Sequence, residues 1–495
     1  MAALLLGSVS AAHAQGALDP TFGDGGIAIV PQDAFFSVVR GGVLVAPDGG
    51  VTAVLQDRVV AGGADATLVR LRPDGSRDAS FGEDGVLRPA TGFRASAAAG
   101  LVDGRLLLGG RLEDEPALVR LLADGSPDPS FGDQGVLRGR TAADLEILPD
   151  GRILAADVGV WRLLPDGSPD PSFGDGGFAD LPDPPIGNGG SRATAVAVAA
   201  QPSGGVLVAM NLEAAIVTAG LLTRFTADGD WDSSYGGDGI VDVGSTAVRD
   251  LVAAGDGAAL VLDRFAVARF DASGRRDPSY APPIDGSGSG TAAILIDGKE
   301  RLVASGSRLV QSAGGDRHVV LLQRFLADGE PDPAFGGATG LVVDPPGFGA
   351  QGTGFEAVSL ASDGRIVAAG SVCAAPNRCD LLVVRVAGER MSGVQLSPDG
   401  LRQMVVKDVG AERWSIVRNL DDGTVTGNVY VAGQEPQFLW CSPSPGPTPP
   451  ETVALDCFAA PPCVVAPCGN FAPAGHVELP EAFFLPPDAG GAPGS

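Results

Sequence analysis

Residues 120–135 read Arg120-Leu-Leu-Ala-Asp-Gly-Ser-Pro-Asp-Pro-Ser-Phe-Gly-Asp-Gln-Gly135. In this stretch an arginine is followed eight residues later by an aspartate and eleven residues later by an aromatic residue, with an Asp-Gly turn between them. The unit occurs six times: Arg70, Asp78 and Phe81; Arg120, Asp128 and Phe131; Arg162, Asp170 and Phe173; Arg224, Asp232 and Tyr235; Arg269, Asp277 and Tyr280; Arg324, Asp332 and Phe335. Such regularity predicts a repeat architecture, in which each unit buries its faces against its neighbours.

The two ends of the repeat region carry the two halves of a seventh unit. Asp19 and Phe22 form an aspartate–aromatic half with no arginine before it. Arg385 forms an arginine half with no aromatic residue after it. Six whole units and one divided unit predict a ring of seven that is closed across the termini, which leaves no open sheet edge.

A second turn signature recurs seven times, out of phase with the first. Asp-Gly or Ser-Gly lies between apolar runs at residues 46–49, 102–104, 149–151, 202–204, 255–257, 296–298 and 362–364. Such a turn is typical of a β-hairpin, because glycine adopts positive φ at little cost. Each unit is therefore interpreted as four short strands, which in the last unit are expected at Gly340–Asp344, Glu356–Leu360, Arg365–Gly370 and Leu381–Val386. The sequence predicts an all-β fold, a seven-bladed β-propeller of four-stranded blades.

The connections outside the two signatures vary in length. The first-to-second strand connection is long at Pro182–Gly190 and short at Arg138–Ala142. The third-to-fourth strand connection is short at Asp157–Gly159 and long at Gly306–His318. In a four-stranded blade these two connections emerge on the same face, where we expect recognition, together with Pro345–Phe355. Neutral drift of unused loops is the alternative.

The repeated residues are interpreted as a scaffold. An arginine eight residues before an aspartate is placed for an ion pair within or between blades, and the aromatic residue for packing between blades. A ring of arginines that grips an anion is the alternative. The aspartates Asp166, Asp170 and Asp175 suit turns. Structural calcium is the alternative for them, and no other cofactor or metal is expected.

Composition excludes several classes of function. The net charge of −26, from 60 acidic and 34 basic residues, argues against binding nucleic acid. Only 3 histidines are present, which argues against a Ser-His-Asp triad or a multi-histidine metal site. No nucleophile elbow, zinc motif or nucleotide-binding glycine loop occurs. A carboxylate pair for glycoside chemistry stays open, because acidic residues are abundant.

The first residues resemble an export signal. A short apolar region ends in Ala12-His13-Ala14, which is a signal-peptidase pattern. We expect a signal peptide at residues 1–14, truncated at its start, and a secreted, periplasmic or extracellular location. No segment has the length of apolar residues that a transmembrane helix needs.

The remaining boundaries follow from changes in pattern. The propeller is expected at residues 15–388, a small Cys- and Pro-rich β module at 389–487 and a disordered tail at 488–495. An even number of cysteines in an exported protein indicates disulfides. All six are expected to form them, Cys373 with Cys379 in the last blade and the other four in pairs that the sequence leaves open: Cys373, Cys379, Cys441, Cys457, Cys463 and Cys468.

The unit at Arg120–Gly135, followed by Leu148-Pro-Asp-Gly-Arg-Ile-Leu-Ala155, resembles the delta-60 repeat of bacterial secreted proteins. The resemblance covers about residues 18–388 and implies a β-propeller in an exported or cell-surface setting, with no defined reaction. The unit at Tyr280 departs from the pattern, since Ala281 follows the aromatic residue where glycine is expected.

We expect a non-enzymatic binding or interaction scaffold, monomeric, whose partner is an extracellular glycan or protein. A polysaccharide-active hydrolase or lyase with carboxylates in the propeller funnel is the alternative. A purely structural surface protein is a third reading.

Overall fold

A computed structural model describes residues 17–34, 36–57, 65–183, 192–213, 218–263, 266–284, 290–310, 317–336, 340–343, 354–361, 363–375 and 378–387, and seven further strands between residues 393 and 480. The chain separates into two compact units, Met1–Glu389 and Arg390–Ser495. The predicted signal peptide and the predicted tail both lie outside the described residues.

In the first unit the strands form the seven blades of a β-propeller, and a single bridge between Arg40 and Ala97 joins the first two blades into one eight-stranded sheet. An N-terminal strand, β1 (Ile27–Ala34), precedes blade 1, which has β2 (Phe36–Val45), β3 (Val51–Asp57), β4 (Thr67–Leu71) and β5 (Val86–Leu87). Blade 2 has β6 (Phe93–Gly100), β7 (Leu106–Leu112), β8 (Glu115–Leu121) and β9 (Val136–Arg138), and blade 3 has β10 (Asp144–Ile147), β11 (Ile153–Ala156), β12 (Gly159–Leu163) and β13 (Phe178–Asp180). Blade 4 has β14 (Arg192–Ala200), β15 (Val206–Glu213), β16 (Thr218–Phe225) and β17 (Ile240–Asp242), with a 3-10 turn at Tyr235–Gly237, and blade 5 has β18 (Asp250–Ala253), β19 (Ala259–Leu262) and β20 (Val267–Phe270). Blade 6 has β21 (Gly290–Ile296), β22 (Leu302–Val310), β23 (Arg317–Phe325) and β24 (Leu341–Val343), and blade 7 has β25 (Gly354–Leu360), β26 (Ile366–Ala375) and β27 (Arg378–Val386).

The middle strands of the blades are continuous apolar runs. Every residue of β11 is buried, as are all but one of β7. Because a blade is covered on both faces by its neighbours, both sides of its middle strands face apolar surroundings, and the alternation typical of a half-exposed strand is lost. The outermost strands, such as β13, are short and partly exposed.

The hydrophobic core lies between the blades. Each of seven clusters among the described residues joins two adjacent blades. The seam between blades 2 and 3, for example, packs Leu107 and Leu118 against Phe131, Leu145 and Ile153. Stability therefore depends on neighbour-to-neighbour contacts, as expected for a repeat protein.

Where a strand follows the aromatic residue, it belongs to the same blade as the arginine before it. In blade 3, β12 pairs with β13, so that Gly159 lies opposite Asp180. The amide of Arg162 donates to the carbonyl of Gly177 at 2.9 Å, which brings the chain back beside the arginine strand. The expected first strand of the last unit, Gly340–Asp344, is therefore wrong as part of that blade. It is observed as β24, which pairs with β23 and completes blade 6.

The outermost strand of blade 7 comes from the N-terminal segment. β1 pairs antiparallel with β27, with Ile27 opposite Val384 and Val30 opposite Leu381. A further bridge joins Leu18 to Val386. The predicted closure of the ring across its two ends is confirmed.

Blade 5 has three strands in the described part of the chain. Ala281-Pro282-Pro283 follows Tyr280, at the place where other blades begin their fourth strand. Proline has no N–H to donate to a neighbouring strand, so this segment is unsuited to pairing.

A disulfide joins Cys373 to Cys379 in blade 7. The two residues lie opposite each other on β26 and β27.

The second unit is an antiparallel meander of seven strands, in sequence order. The strands are β28 (Gly393–Leu396), β29 (Arg402–Val409), β30 (Glu412–Asn419), β31 (Val425–Val431), β32 (Gln437–Pro443), β33 (Thr452–Ala460) and β34 (Ala472–Pro480). Cys441 and Cys457 are backbone partners on β32 and β33, while Cys463 and Cys468 lie outside the described residues.

Candidate functional site: blade joints, central channel and loop face

The repeated arginine, aspartate and aromatic residue meet at one joint. In blade 2, Arg120 Nε donates to Asp128 Oδ2 at 2.7 Å, and both side chains are buried. The guanidinium lies over the Phe131 ring, with 4.5 Å between Cζ and the ring centroid. A buried guanidinium is thus paired with a carboxylate and stacked on an aromatic face, two contacts that suit arginine.

The same joint occurs in other blades. Arginine Nε donates to the aspartate at 2.7–2.9 Å in five units: Arg120–Asp128, Arg162–Asp170, Arg224–Asp232, Arg324–Asp332 and Arg385–Asp19. Arginine Cζ lies 4.0–4.6 Å from the ring centroid in six: Arg70–Phe81, Arg120–Phe131, Arg162–Phe173, Arg224–Tyr235, Arg324–Phe335 and Arg385–Phe22.

Two units deviate. Arg70 Nε donates to Thr52 Oγ1 at 3.1 Å, and it is Arg72 that lies 3.7 Å from Asp78. Arg269 lies 3.8 Å from Asp277 and also pairs with Asp256, and within the described residues it does not stack on Tyr280. The second deviation falls in blade 5, whose unit also lacks the glycine after its aromatic residue.

The joint also reaches into the next blade. Arg162 Nη1 donates to the carbonyl of Ala227 in blade 4 at 2.5 Å, and the amide of Gly174 donates to the carbonyl of Asp228 at 2.7 Å. Gly229 ends this turn with φ of +82° beside the Phe173 ring. Five arginines bond in this way to the turn of the following blade, so these units fasten the turn of the next blade to their own: Arg70, Arg120, Arg162, Arg224 and Arg385.

The sequence interpretation missed a second arginine at several joints. Arg105 Nη1 donates to Asp128 Oδ2 at 3.1 Å, and Arg152 Nη1 donates to Asp170 Oδ2 at 3.1 Å. Arg365 lies 3.5 Å from Asp19 in the closing joint. The signal was available, because these arginines directly follow the Asp-Gly of the second turn signature.

The joint aspartates are held in their charged form. Burial alone would raise the pKa of Asp128, but hydrogen bonds from Ser130 and the neighbouring Arg105 and Arg120 hold it well below its ordinary value. Asp170 is shifted in the same direction by Ser172, Arg152 and Arg162. The charges and hydrogen-bonding groups of these joints thus satisfy one another.

A central channel of about 510 Å³ runs between the innermost strands of the blades. Four carboxylates line it: Asp144, Glu146, Asp250 and Glu356. The sequence interpretation did not single them out, although they stand among apolar residues of the innermost strands.

These carboxylates accept hydrogen bonds from the next blade. The amide of Val198 donates to Asp144 at 2.9 Å and that of Ala200 to Glu146 at 2.6 Å. Ile294 donates in the same way to Asp250 at 2.8 Å and Val38 to Glu356 at 2.5 Å. The innermost strand of a blade has an unpaired edge that faces the channel, and a carboxylate from the neighbouring blade satisfies its amides.

Glu146 is the most perturbed of the channel carboxylates. Burial raises its pKa to about 7, the hydrogen bond from Ala200 opposes this shift, and the charge of Asp144 adds to it. Asp144 and Glu146 are two residues apart on β10, so both side chains point to the same side of the strand. Near neutral pH Glu146 is therefore close to the point at which it takes up a proton.

The connections of variable length define the second candidate region. Because strands alternate in direction, the connections between blades and those between the second and third strands of a blade emerge on one side, which we call the loop face. Residues 184–191 and 344–353, which make up most of the connections at Pro182–Gly190 and Pro345–Phe355, lie outside the described residues. The predicted bounds Gly306–His318 are too wide, because Gly306–Val310 belongs to β22 and Arg317–His318 to β23, and residues 311–316 between them lie outside the described residues.

The short connections of blade 3 are described in full. Arg140, in the connection from β9 to β10, lies over the ring of Trp161 with 3.7 Å between Cζ and the ring centroid. Trp161 in turn contacts Phe178, with 4.6 Å between the two ring centroids. Among the residues that the structure describes, this arrangement occurs at one seam, and it is not part of the repeated unit.

Within the described residues, no group of three or more His, Cys, Asp or Glu side chains is placed to hold a metal ion. The helical segments in the same part of the chain include none with the length and hydropathy for a membrane crossing.

Comparison with known proteins agrees on the type of repeat. The model of a family described as a domain of unknown function (DUF5122) with a beta-propeller fold matches residues 51–81, 103–131 and 148–173. Each matched segment extends through one repeated unit to its aromatic residue. The chain therefore carries β-propeller repeats. No curated protein matches it.

Several solved structures resemble the chain at low sequence identity. The WD40 domain of coronin from Toxoplasma gondii is 11% identical, with a TM-score of 0.41, over 76% of this chain and 89% of that one. A protein of unknown function from Dyadobacter fermentans is 14% identical, with a TM-score of 0.38, over 75% and 100%. A gluconolactonase from Xanthomonas campestris is 16% identical, with a TM-score of 0.30, over 56% and 93%. At these TM-scores none of them bears on the function of this chain.

Proposed function

We propose that this protein is an exported, non-enzymatic binding scaffold that holds a surface glycan or a protein on its loop face. The propeller supplies a rigid ring, and the loop face supplies the variation that recognition needs. The finer resemblance to the delta-60 repeat supports the same setting.

One observation carries the proposal: the polar groups of the ring are engaged in holding blades together. Asp144, Asp250 and Glu356 accept amides of the adjacent blade, and the joint aspartates are paired with arginines. Groups committed to structure in this way are poor candidates for catalysis. Recognition is then left to the connections that differ between blades.

The proposed location has support of its own. The disulfide between Cys373 and Cys379 is the kind of bond that persists in oxidising compartments. The apolar start of the chain, with its Ala12-His13-Ala14 pattern, supports export in the same sense.

A second candidate function is favoured by Glu146. A carboxyl group with a pKa of about 7 beside the carboxylate of Asp144 supplies the acid and base that glycoside cleavage uses. Under this alternative the channel would bind a polysaccharide end, with Glu146 as the proton donor.

The test is a glycan array with the purified protein, read for bound protein and, by mass spectrometry, for cleaved products. The scaffold proposal expects binding without cleavage, unchanged in Glu146→Gln. Cleavage that is abolished in Glu146→Gln would overturn the scaffold proposal and support the second candidate function, the enzyme. If the protein neither binds nor cleaves any glycan, and also binds nothing on an array of surface proteins, only a structural role remains. That result would overturn both proposed functions.

A further inference from the structure

The joint of blade 4 differs from the others at its exposed tip. Seven and nine residues after the joint arginine, three units have proline at both positions, as in Pro127 and Pro129, where blade 4 has Trp231 and Ser233. Among the residues whose burial the structure describes, Trp231 is the most exposed aromatic side chain, at 43%. A single exposed apolar residue is ordinary on a protein surface, but the ring of Trp231 is also fixed in place.

The Trp231 ring is held by the body of the joint. Its Nε1 donates to Thr223 Oγ1 at 3.1 Å and to the carbonyl of Gly239 at 3.3 Å, and Thr223 is fully buried. The ring also lies over Gly239, where an added Cβ would be 2.7 Å from Cε2 of Trp231. The one polar group of the indole is therefore bonded within the protein, and the exposed part of the ring is apolar and fixed in orientation. Such a surface loses little freedom when a ligand covers it.

The joint itself does not require a tryptophan. In blade 3, Pro169 lies over the corresponding glycine, Gly177. The backbone has the same form in both units, because Phe225 bridges Trp231 as Leu163 bridges Pro169. Since a proline is enough to cover the glycine, the ring of Trp231 adds apolar surface that the joint does not use.

Two polar residues flank the Trp231 ring. Asp230 directly precedes Trp231, and Ser233 lies beside the ring, since the same added Cβ on Gly239 would be 3.0 Å from Cα of Ser233. Both residues are exposed, and within the described part of the chain neither the Asp230 carboxylate nor the Ser233 hydroxyl has a hydrogen-bond partner. They offer hydrogen-bond acceptors and a donor beside an apolar surface. This combination suits a ligand that has both a C–H face and hydroxyl groups.

We propose that Trp231, with Asp230 and Ser233, forms a binding site for a neutral glycan. A pyranose ring with mostly equatorial hydroxyl groups has a face of C–H groups that packs on the indole, while hydroxyl groups at its edge bond to the carboxylate and the serine. The site lies in the connection from β16 to β17, which is on the side opposite to the loop face because strands alternate in direction. It is therefore a second site, independent of the one proposed for the loop face.

Charge and contact area together favour a neutral ligand. Residues 224–242 contain five aspartates and one arginine, Arg224, which is bonded to Asp232. This surplus of negative charge repels an anionic ligand. A cation over one exposed ring gains little, whereas a broad C–H face removes roughly 100 Å² of apolar indole surface from water. A sugar ring therefore gains more at Trp231 than a compact cation does.

The repeat itself supplies variants that should fold. Trp231→Pro and Ser233→Pro introduce the residues that the same backbone carries in blades 2 and 3. Leu326→Ala is the matched control, because Leu326 is 36% exposed in the corresponding connection of blade 6. A general effect of exposed apolar surface on this side of the propeller would weaken binding equally in Trp231→Pro and Leu326→Ala.

The experiment is a ligand-observed NMR titration of the full chain with cellotetraose, mannotetraose and xylotetraose. Choline chloride and sodium tetragalacturonate are the charged reference ligands. We expect at least one neutral tetrasaccharide to bind with a dissociation constant of about 1 mM, with the strongest saturation transfer to its ring C–H protons. Trp231→Pro should weaken this binding by about tenfold or more, Ser233→Pro by about threefold, and Leu326→Ala by less than about twofold. Unchanged thermal unfolding of Trp231→Pro guards against misfolding of that variant.

Three results would each overturn the inference. They are no binding of any neutral tetrasaccharide, equal binding by wild type and Trp231→Pro, and tighter binding of choline or tetragalacturonate than of the neutral sugars. Glycans that wild type and Trp231→Pro bind equally on the array would leave the loop-face proposal intact while this site fails.

Discussion

Arg385 Nε donates to Asp19 Oδ2 at 2.8 Å, although 366 residues of chain separate the two. The side chain of Arg385 also reaches the carbonyl of Pro73 in blade 1 at 2.6 Å and Thr21 Oγ1 at 3.0 Å. These contacts have the geometry of the Arg162 joint within the chain. The ring is therefore closed by the same kind of joint, to which each end of the repeat region contributes one half.

Replacing Asp19 by alanine should open the ring at this joint. The change leaves Arg385 buried without its carboxylate, which typically costs about 3–5 kcal/mol. The pKa of Asp19 is lowered, against the effect of burial, by Thr21 and Arg385, so the contribution of the pair persists above about pH 4 and is lost on further acidification. Thermal unfolding and hydrogen exchange of the β1 amides measure the effect.

Asp24→Ala is the control, because Asp24 is exposed and close in sequence. Asp128→Ala removes an internal joint and should destabilise the protein without selective exchange of β1. A melting temperature of Asp19→Ala equal to that of Asp24→Ala would contradict a closing role for the pair.

Gly167 should tolerate no side chain. It has φ of +89°, and a Cβ there would lie 2.7 Å from the Phe131 ring of the preceding blade. Gly167→Ala should therefore cost the strain of a left-handed residue, about 1–2 kcal/mol, and a further cost of displacing the ring. Gly176→Ala tests the strain alone, because its φ is +59° with nothing within 4 Å of an added Cβ. Equal loss of stability in urea unfolding of the two variants would show that the ring contact contributes nothing.

The sequence was sufficient for the joints and the closure, since the spacing of Arg120, Asp128 and Phe131 recurs in six units and in the divided one. The sequence did not show which four consecutive strands form one blade. A repeat can be divided at any point along its period, and only backbone pairing shows that Leu341–Val343 completes blade 6.

The channel acids and the Arg140–Trp161 stack escaped prediction for a different reason. Asp144 and Asp250 lie six residues, and Glu356 seven, before the aspartate of the second turn signature, but in three of the seven blades only, and within the described residues blade 3 alone carries the stack. A feature at one seam gives no repeat signal, and a feature in three blades gives a weak one. They become visible only when the innermost strands and the short connections are placed in space.

The register of the second unit predicts one of the disulfides that the sequence left open. Cys441 lies opposite Cys457 on adjacent antiparallel strands, as Cys373 lies opposite Cys379. Directly opposed residues have Cα atoms about 4.5–5.5 Å apart, which is within the range of a disulfide. Mass spectrometry of peptides from unreduced, exported protein should contain a Cys441–Cys457 cross-link. A cross-link from Cys441 to Cys463 or Cys468 in its place would show that this prediction is wrong.

Glu146 should make the stability of the propeller fall as pH rises. Its pKa is raised from an unfolded value of 4.5 to about 7, so the folded state holds the proton more tightly. The contribution of Glu146 to the free energy of unfolding is most favourable below about pH 4.5. It declines as the pH rises from there to about 7, and above pH 7 it stays at its least favourable value. Taken alone, this pKa shift corresponds to a change of at most about 3 kcal/mol in the free energy of unfolding.

Glu146→Gln keeps an oxygen that can accept the amide of Ala200 and removes the charge. Relative to wild type it should be more stable at pH 8, by about 1–3 kcal/mol, and nearly equal at pH 4. Urea unfolding at both pH values measures the difference, with Glu83→Gln on the exposed surface as the control. A gain that is the same at both pH values would mean that Glu146 does not titrate in this range.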